Sequence, residues 1–385
     1  MRICILERGK EVLGKVKISG GGRCNLTHAE FVPSELVRHY PRGRRELLGP
    51  FHKFMTGDVM EWFEKRGVPL KVEEDGRVFP VSDSSQSVID LFLKESARLG
   101  IELYKKTGVQ HIRRAGDQWE VEAGMERFRA GKILIAAGSS TRIWKILEEL
   151  GHSIIPGVPS LFTFNIKDTR ITDLPGVSVS AEIALEGTDL RSQGPLLITH
   201  WGLSGPAVLK LSAWAARELS SQKNFRIRIN WLPDLTDAEI IRTMSELREK
   251  QGKLRVTRTV ELGLPRRLWQ SLVQAAGIDP SKKWGDLRKK ELSALLEQLS
   301  SGRFEVHGKS TFKEEFVTAG GVELKEVNLR TFESRRQPGL FLAGEVLNVD
   351  AVTGGFNFQN AWTGAFLAAR AMTAKDPGEP PRLSN

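Results

Sequence analysis

The sequence predicts an α/β fold: a parallel nucleotide-binding sheet whose chain is interrupted by a strand-rich piece and then by a helical piece. Three observations predict it. The chain opens on a short apolar strand that ends in an acid, Arg2-Ile3-Cys4-Ile5-Leu6-Glu7. It carries an apolar run ending in small residues, Lys132-Ile133-Leu134-Ile135-Ala136-Ala137-Gly138. It closes on a second such run, Gly339 to Glu345, with the glycine-rich Thr353-Gly354-Gly355 opening a last helix. Strands buried on both faces read as unbroken apolar runs, and open parallel sheets present their ligands at the C-terminal strand ends.

Each element follows in order. The first strand is of the kind that comes second in a dinucleotide-binding βαβ unit, after a strand, a G-x-G-x-x-G turn and a helix. Helices are expected around Ser34 to Leu48 and Thr56 to Arg66, then a turn-rich stretch from Glu73 to Pro80. Ser87 to Leu99 spaces Val88, Leu91 and Phe92 as one helix face, closed by Gly100. Strands at Ile101 to Tyr104 and Trp119 to Glu122 lead to the run at Lys132. From Ser160 the pattern changes: Leu161 to Ile166, Val177 to Leu185, Leu196 to Thr199 and Phe225 to Asn230 alternate or run apolar between Pro and Gly, a compact β subdomain. Pro233 to Asp237 supplies a turn and a cap, after which the pattern is helical to Ser301, with turns near Gly277 and Pro280. The last helix runs from Asn357 to Met372. The expected division is therefore 1–155 and 310–375 for the nucleotide-binding domain, 156–234 for the β insert, 235–309 for the helical insert and 376–385 for a disordered tail.

Composition narrows the class. A chain of 385 residues with 40% hydrophobic and 27% charged residues and a mean hydropathy of −0.27 has the make-up of a globular protein of two or three domains. No apolar run nears the roughly 18 residues of a membrane span, the apolar start is too short for a signal peptide, and the protein is expected in the cytoplasm. Two cysteines, Cys4 and Cys24, make neither a CxxC metal pair nor a disulfide framework; no metal site is expected. Fifty-seven Lys and Arg against 47 Asp and Glu leave a net charge of +10. That balance suits phosphate-bearing partners without choosing among them. Half of it lies between Thr236 and Lys309, with 15 basic and 10 acidic residues, read either as a solvated helical surface or as a polyanion site.

Four motifs carry chemistry. In Ser19-Gly20-Gly21-Gly22-Arg23-Cys24-Asn25 three bare glycines let main-chain N–H groups approach a phosphate, with Arg23 as a charge and Asn25 as a neutral donor; the alternative is a plain tight turn. Glu7 stands where the strand-two acid binds the adenosine ribose hydroxyls. Gly344, Glu345, Gly354, Gly355, Phe356 and Asn357 surround a strand end and a helix N-terminus, whose N–H groups and dipole suit a phosphate or a flavin pyrimidine edge; Glu345 is the candidate for a ribityl chain. In His200-Trp201-Gly202-Leu203-Ser204-Gly205-Pro206, His200 is either a proton donor or a hydrogen-bonded turn histidine, and the spacing does not match a G-x-S-x-G nucleophile elbow. Cys24 reads as a small packed residue rather than a redox thiol.

At these residues the sequence resembles the bacterial NAD(P)/FAD-dependent flavoproteins called BaiN-like or aminoacetone oxidase-like. SGGGRCNLT (Ser19 to Thr27), GRVFPV (Gly76 to Val81), THWGLSGP (Thr199 to Pro206), TAGGV (Thr318 to Val322) and GEVLNVDAVTGGFNFQ (Gly344 to Gln359) follow the family's motifs in order over nearly the whole chain. The resemblance implies a Rossmann-like domain of the two-dinucleotide-binding-domain flavoprotein type, interrupted by an insert with a β-barrel-like part and a helical part. It implies FAD as cofactor and oxidoreductase chemistry on a small molecule, with substrate entering near His200 and Trp201. Glu7, the Gly20 to Asn25 loop, the Val109 backbone, Ala137, Gly138 and the Gly344 to Asn357 positions would hold FAD. NAD(P)H is a candidate reductant, although no second GxGxxG is found. Two departures stand out. Met1 falls where the family's second strand begins, so the gene product is expected to start upstream, and the family's Ala-Thr-Gly-Gly strand end reads Ala136-Ala137-Gly138-Ser139. The rival readings are an RNA-modifying flavoprotein that uses the basic 236–309 helices, and a truncated relic with impaired FAD binding.

Overall fold

The computed structural model describes residues 2–258, 262–310 and 317–374; the tail expected at 376–385 lies outside them. The chain divides into two compact units, one from the described residues of Met1–Val158 and Val317–Asn385, the other from those of Pro159–Phe316.

In the first unit the apolar runs pair in parallel, as their sequence predicts. Cys4–Leu6 lies along Glu102–Tyr104, with Cys4 opposite Glu102 and Leu6 opposite Tyr104. Ile133–Ile135 lies along Leu340–Leu342, with Ile135 opposite Leu342. The second ladder continues antiparallel through Glu333–Ser334 and Val327–Asn328. Among the described residues no strand joins the two ladders. Ile3 and Ile5 accordingly stay 40% and 44% exposed on a strand of a type normally covered on both faces. The last helix, Phe356–Thr373, sets Phe358, Trp362 and Phe366 against Phe54, Phe63 and Phe92, and this aromatic cluster fixes where the helix begins.

Local differences from the sequence reading have local causes. The helix expected from Ser34 to Leu48 breaks into Pro33–Leu36, Val37–His39 and a separate turn at Leu48–Phe51. Pro41 and Gly43, the latter at φ 87°, interrupt it. Glu73 to Pro80 proves to be the turn and second strand of a hairpin, Leu70–Val72 with Arg77–Pro80. The strand expected at Trp119 to Glu122 is the centre of a meander, Val109–Ala115, Gln118–Ala123 and Glu126–Ala130, whose two outer strands the sequence reading did not place. Its outward positions are Arg and Glu pairs such as Arg113 with Glu120, and their charge masks the strand pattern.

The second unit holds a seven-stranded sheet in the order Gly302–Val306, Phe225–Asn230, Ser178–Leu185, Arg191–Thr199, Gly202–Ser204, Thr163–Asn165, Gly308–Ser310. The sheet is barrel-like rather than a closed barrel among the described residues: the stretch 302–310 pairs with Phe225–Asn230 through its first part and with Thr163–Asn165 through its last. Its two edge strands are nevertheless successive in the chain, joined through His307, whose N–H donates to Asn165 O at 2.9 Å. Helices Asp237–Lys250, Arg266–Ala275 and Lys289–Ser300 follow the cap at Thr236, whose hydroxyl accepts from Glu239 N–H. Strands and helices share one core, from Phe164 and Ile183 to Trp231, Trp269 and Trp284. No described helix is long and apolar enough to cross a membrane.

Candidate functional site

The glycine triplet is a loop that only glycine can make. Gly20, Gly21 and Gly22 have φ of 57°, 68° and 85°. A Cβ on Gly20 would lie 2.9 Å from Phe79 Cε1 and 3.0 Å from Asn25 N, whereas one on Gly21 would meet nothing within 4 Å. The loop thus presses on the protein with one glycine and leaves an open face at the next. Cys24 N–H donates to Ser19 O at 3.0 Å, closing the turn. Cys24 itself is fully buried, and burial pushes its thiol up to about 12, against a smaller opposing hydrogen bond from Ser19. Arg23 does not present a free charge: it pairs with Glu73 at 2.6 Å and Asp83 at 3.5 Å, and stacks 3.9 Å over the Phe79 ring.

The segment after this loop is fastened to the start of the last helix. The Asn25 amide, turned as its neighbours require, accepts from Gly355 N–H at 3.0 Å and donates to Thr27 O at 2.9 Å and Val78 O at 3.3 Å. Thr27 Oγ1 donates to Gln359 at 2.6 Å, Trp362 Nε1 to Leu26 O at 2.9 Å, and Tyr40 OH to Phe356 O at 2.6 Å. His28 Nδ1 lies 3.2 Å from Gly354 O, and His28 and His39 both stack on Phe356, with centroids 4.6 and 4.1 Å away. A Cβ on Gly355, where φ is 94°, would sit 2.5 Å from Thr27 O. Asn357 spends its side chain on both main-chain groups of Ala351, at 3.0 and 3.1 Å, so it holds the incoming loop. A buried Arg42–Asp350 ion pair holds the same loop one step earlier.

The helix end that results is bare. Its first bond runs from Gln359 N–H to Gly355 O and its N-cap is a glycine with no side chain to offer; Gly355 N–H is taken by Asn25, and the N–H groups of residues 356–358 have no intrahelical acceptor at the positive end of the dipole. Asn360 Oδ1 on its first turns, and Asn348 Oδ1 on the loop that feeds it, are buried without a hydrogen-bond partner. Uncapped donors beside an open glycine face fit the electron-rich edge of a flavin ring or a phosphate, and this is the point at which the residues suit the implied cofactor.

Two further groups lie in the same unit. Gly138, at φ 63°, follows one strand end and Glu345 follows its parallel neighbour; a Cβ on Gly138 would be 3.6 Å from Glu345 Oε2 and 4.0 Å from Lys15 Nζ. Lys15 and Glu345 form an ion pair. Ala137 sits between, exposed. At the end of the first strand, Glu7 accepts from Gly9 N–H, and Glu7 O accepts from Thr107 N–H at 2.8 Å, which brings the acid and Val109 to neighbouring turns. His200 and Trp201 belong to the other unit, as the exposed two-residue turn of a hairpin in which Thr199 pairs with Gly202. Sequence reasoning missed Lys15, His28, His39, Thr27 and Gln359. Thr27 and Gln359, the last residues of two quoted motifs, and His28, one residue past the first, carried a signal that could have drawn notice.

Comparison with known proteins agrees with this architecture. The HI0933-like protein Rossmann domain family matches residues 1–371. The chain is 30% identical to a ribosomal RNA dihydrouridine synthase of Escherichia coli (strain K12), over 97% of this chain and 92% of the relative. It is 27% identical to a 3-dehydro-bile acid delta(4,6)-reductase of Clostridium scindens, over 97% and 93%. Among solved structures it is similar to a 3-ketosteroid-delta4-(5alpha)-dehydrogenase from Rhodococcus jostii RHA1, with 12% identity, a TM-score of 0.47 and coverage of 95% and 91%. With its parallel ladders, glycine-bared loops and near-complete match, the chain belongs to the HI0933-like Rossmann-domain family, the flavoprotein family that its motifs resemble.

Proposed function

We propose that this chain, an FAD-dependent oxidoreductase by its family, reduces a carbon–carbon double bond that a neighbouring carbonyl has made electron-poor. The observation that carries the cofactor side is the junction of Asn25 with Gly355, which joins the glycine loop to the uncapped helix end. The substrate class comes from chemistry common to two relatives. A dihydrouridine is a uridine whose ring double bond is saturated beside a carbonyl, and a 3-dehydro compound with delta(4,6) unsaturation has its double bonds conjugated to the 3-carbonyl. In such a reduction the β carbon takes a hydride and the α carbon a proton; NAD(P)H is the source of the two electrons. Bound FAD supplies the hydride chemistry.

The chain's own residues bind and orient. With FAD bound, the N–H groups ahead of Gln359 would hold the pyrimidine edge, Glu345 and Gly138 the ribityl region, and Glu7 with the Val109 turn the adenosine end. Lys15 neutralises Glu345 so that neither charge stands alone. The test is a titration of the purified chain with FAD, followed by NAD(P)H oxidation in the presence of a cyclic enone. Flavin bound in a defined ratio and turnover that depends on the enone are expected. Absence of flavin binding in the full-length chain, or turnover with saturated and unsaturated ketones alike, would sink the reading.

A second reading places the double bond in a uracil of ribosomal RNA. The basic stretch from Thr236 to Lys309 favours it, because a small apolar substrate has no use for an electrostatic surface. Saturation of uridines in an rRNA transcript, read by loss of the ring's ultraviolet absorbance, tests this reading separately.

A further inference from the structure

We infer that a basic platform in the second unit, built by residues 252–258 together with 281–290, is a docking surface for the phosphate backbone of RNA; this rests on the second reading above. The two segments lie far apart in sequence and side by side in space. Val256 N–H donates to Lys282 O, Trp284 N–H to Leu254 O and Gly285 N–H to Gly252 O, each at 3.0 Å. Arg255 stands opposite Lys283 in an antiparallel bridge. Beneath, Trp269 donates from Nε1 to Val256 O at 2.7 Å and stacks on buried Trp284 at 6.3 Å, so the platform has a rigid floor. These two segments contain eight basic residues and one acidic residue, Asp286. The wider stretch from Thr236 to Lys309 holds 15 basic against 10 acidic, so folding gathers its cations and leaves most of its carboxylates elsewhere.

The arrangement works against the stability of the fold, and that is the argument for a ligand. Like charges directly opposite on paired strands repel, yet Arg255 faces Lys283. Cations at a helix N-terminus oppose the dipole, yet Lys289 and Lys290 are the first two residues of Lys289–Ser300, with Arg288 as the N-cap; Glu291, the one acid of that turn, is spent on Arg288 N–H and on Lys282 and offsets neither lysine by an ion pair. Lys253, Arg255, Lys283, Lys289 and Lys290 are exposed and have no ion-pair partner among the described residues. Several local choices that each cost stability in one place point to a compensating polyanion. No large exposed apolar side chain lies within these segments. A phosphate backbone therefore fits better than a lipid surface, which would ask for one.

The test compares the full chain with the variant Lys253→Gln, Arg255→Gln, Lys283→Gln, Lys290→Gln, and with a control of equal charge change in the first unit, Lys65→Gln, Lys94→Gln, Arg98→Gln, Lys145→Gln. The probe is a fluorescein-labelled rRNA hairpin, titrated by anisotropy over a range of KCl. At roughly 0.7 to 0.9 counterions per neutralised phosphate, the platform variant should lower the log–log salt slope by about 3 and weaken binding at least about tenfold at moderate salt. The control should bind RNA as the parent does, enone turnover should be unchanged in both, and the platform variant should melt above the parent, because it relieves the Arg255–Lys283 repulsion and the charge at the helix start; a platform variant that melts lower would overturn the argument from stability. If the parent binds the hairpin and the platform variant binds it equally, the platform is wrong while the RNA reading survives. If the parent binds no RNA, the RNA reading fails and the platform with it. Platform-dependent binding to phosphatidylglycerol vesicles that equals or exceeds binding to RNA would overturn the assignment in favour of a membrane surface.

Discussion

At the scale of single residues, the site is a set of positions where one added atom has a calculable effect. Gly355→Ala drives a Cβ to 2.5 Å from Thr27 O in a left-handed backbone. It should cost about 2–4 kcal/mol, from overpacking plus the left-handed penalty, and should also lower FAD affinity. Gly21→Ala, with nothing within 4 Å, carries only the backbone cost of about 1 kcal/mol. Urea denaturation of both variants checks the ordering; equal costs would mean that the contact to Thr27 is not what fixes Gly355. Cys24, buried with its thiol raised to about 12 by that burial, should resist alkylation at pH 8 in the folded protein. Cys4 is exposed and should be labelled, though its thiol too is raised, chiefly by partial burial. Mass spectrometry should therefore find one adduct before unfolding and two after. The glycines were legible in the sequence because a missing side chain is itself a signal. Lys15 and Glu345 were not legible as a pair, since they lie 330 positions apart and each alone reads as an exposed charge.

At the scale of elements, a buried polar network ties the segment after Thr141–Glu149 to the loop that precedes Glu333–Ser334. His152 Nδ1 lies 3.0 Å from Glu326 Oε2, and His152 Nε2 lies 3.0 Å from Ser334 Oγ. Arg336 and Ser153 N–H complete the shell around Glu326, at 2.7 and 3.0 Å. The three residues resemble a hydrolytic triad in connectivity only. Ser334 Oγ already accepts from the N–H groups of Arg336 and Gln337, and all three are buried, so the hydroxyl is held as a turn cap. Burial alone would raise the Glu326 carboxyl, but Arg336, Ser153 and His152 outweigh it and hold it at about 2, against 4.5. Burial lowers His152 and keeps it neutral, in spite of Glu326. Both shifts have the same sign for stability. The Glu326 contribution is fully present above pH 4.5 and is lost as pH falls toward 2, and His152 adds a loss below its ordinary range. Glu326→Gln should therefore be about 3 kcal/mol less stable than the parent at pH 7, with the gap closing under acid. A gap that stays constant from pH 7 to pH 3 would refute this account.

At the scale of the whole molecule, each unit has its own core, and Ile3 and Ile5 leave one apolar face of the first strand uncovered among the described residues. Exposed apolar patches invite association with other chains. Ile3→Lys with Ile5→Lys should reduce self-association in sedimentation while leaving the urea midpoint within the range of a neutral surface change; a large loss of stability would show that these side chains are packed after all. The sequence by itself determined the α/β class, the parallel character of the apolar runs, the interruption near Ser160 and the glycine-bared turns, because periodicity, burial pattern and the absence of side chains are properties of short windows. Tertiary structure alone decided what those windows meet. It joined Asn25 to Gly355, withdrew Arg23 into a pair with Glu73 and turned Asn357 inward to Ala351. It stacked His28 and His39 on Phe356, brought both ends of the second unit's sheet onto the stretch 302–310, and set residues 252–258 beside 281–290. The physical reason is range: propensity and hydrophobic pattern act within a turn or two of chain. Charge matching and hydrogen-bond satisfaction between residues hundreds of positions apart are settled only when the whole chain has packed.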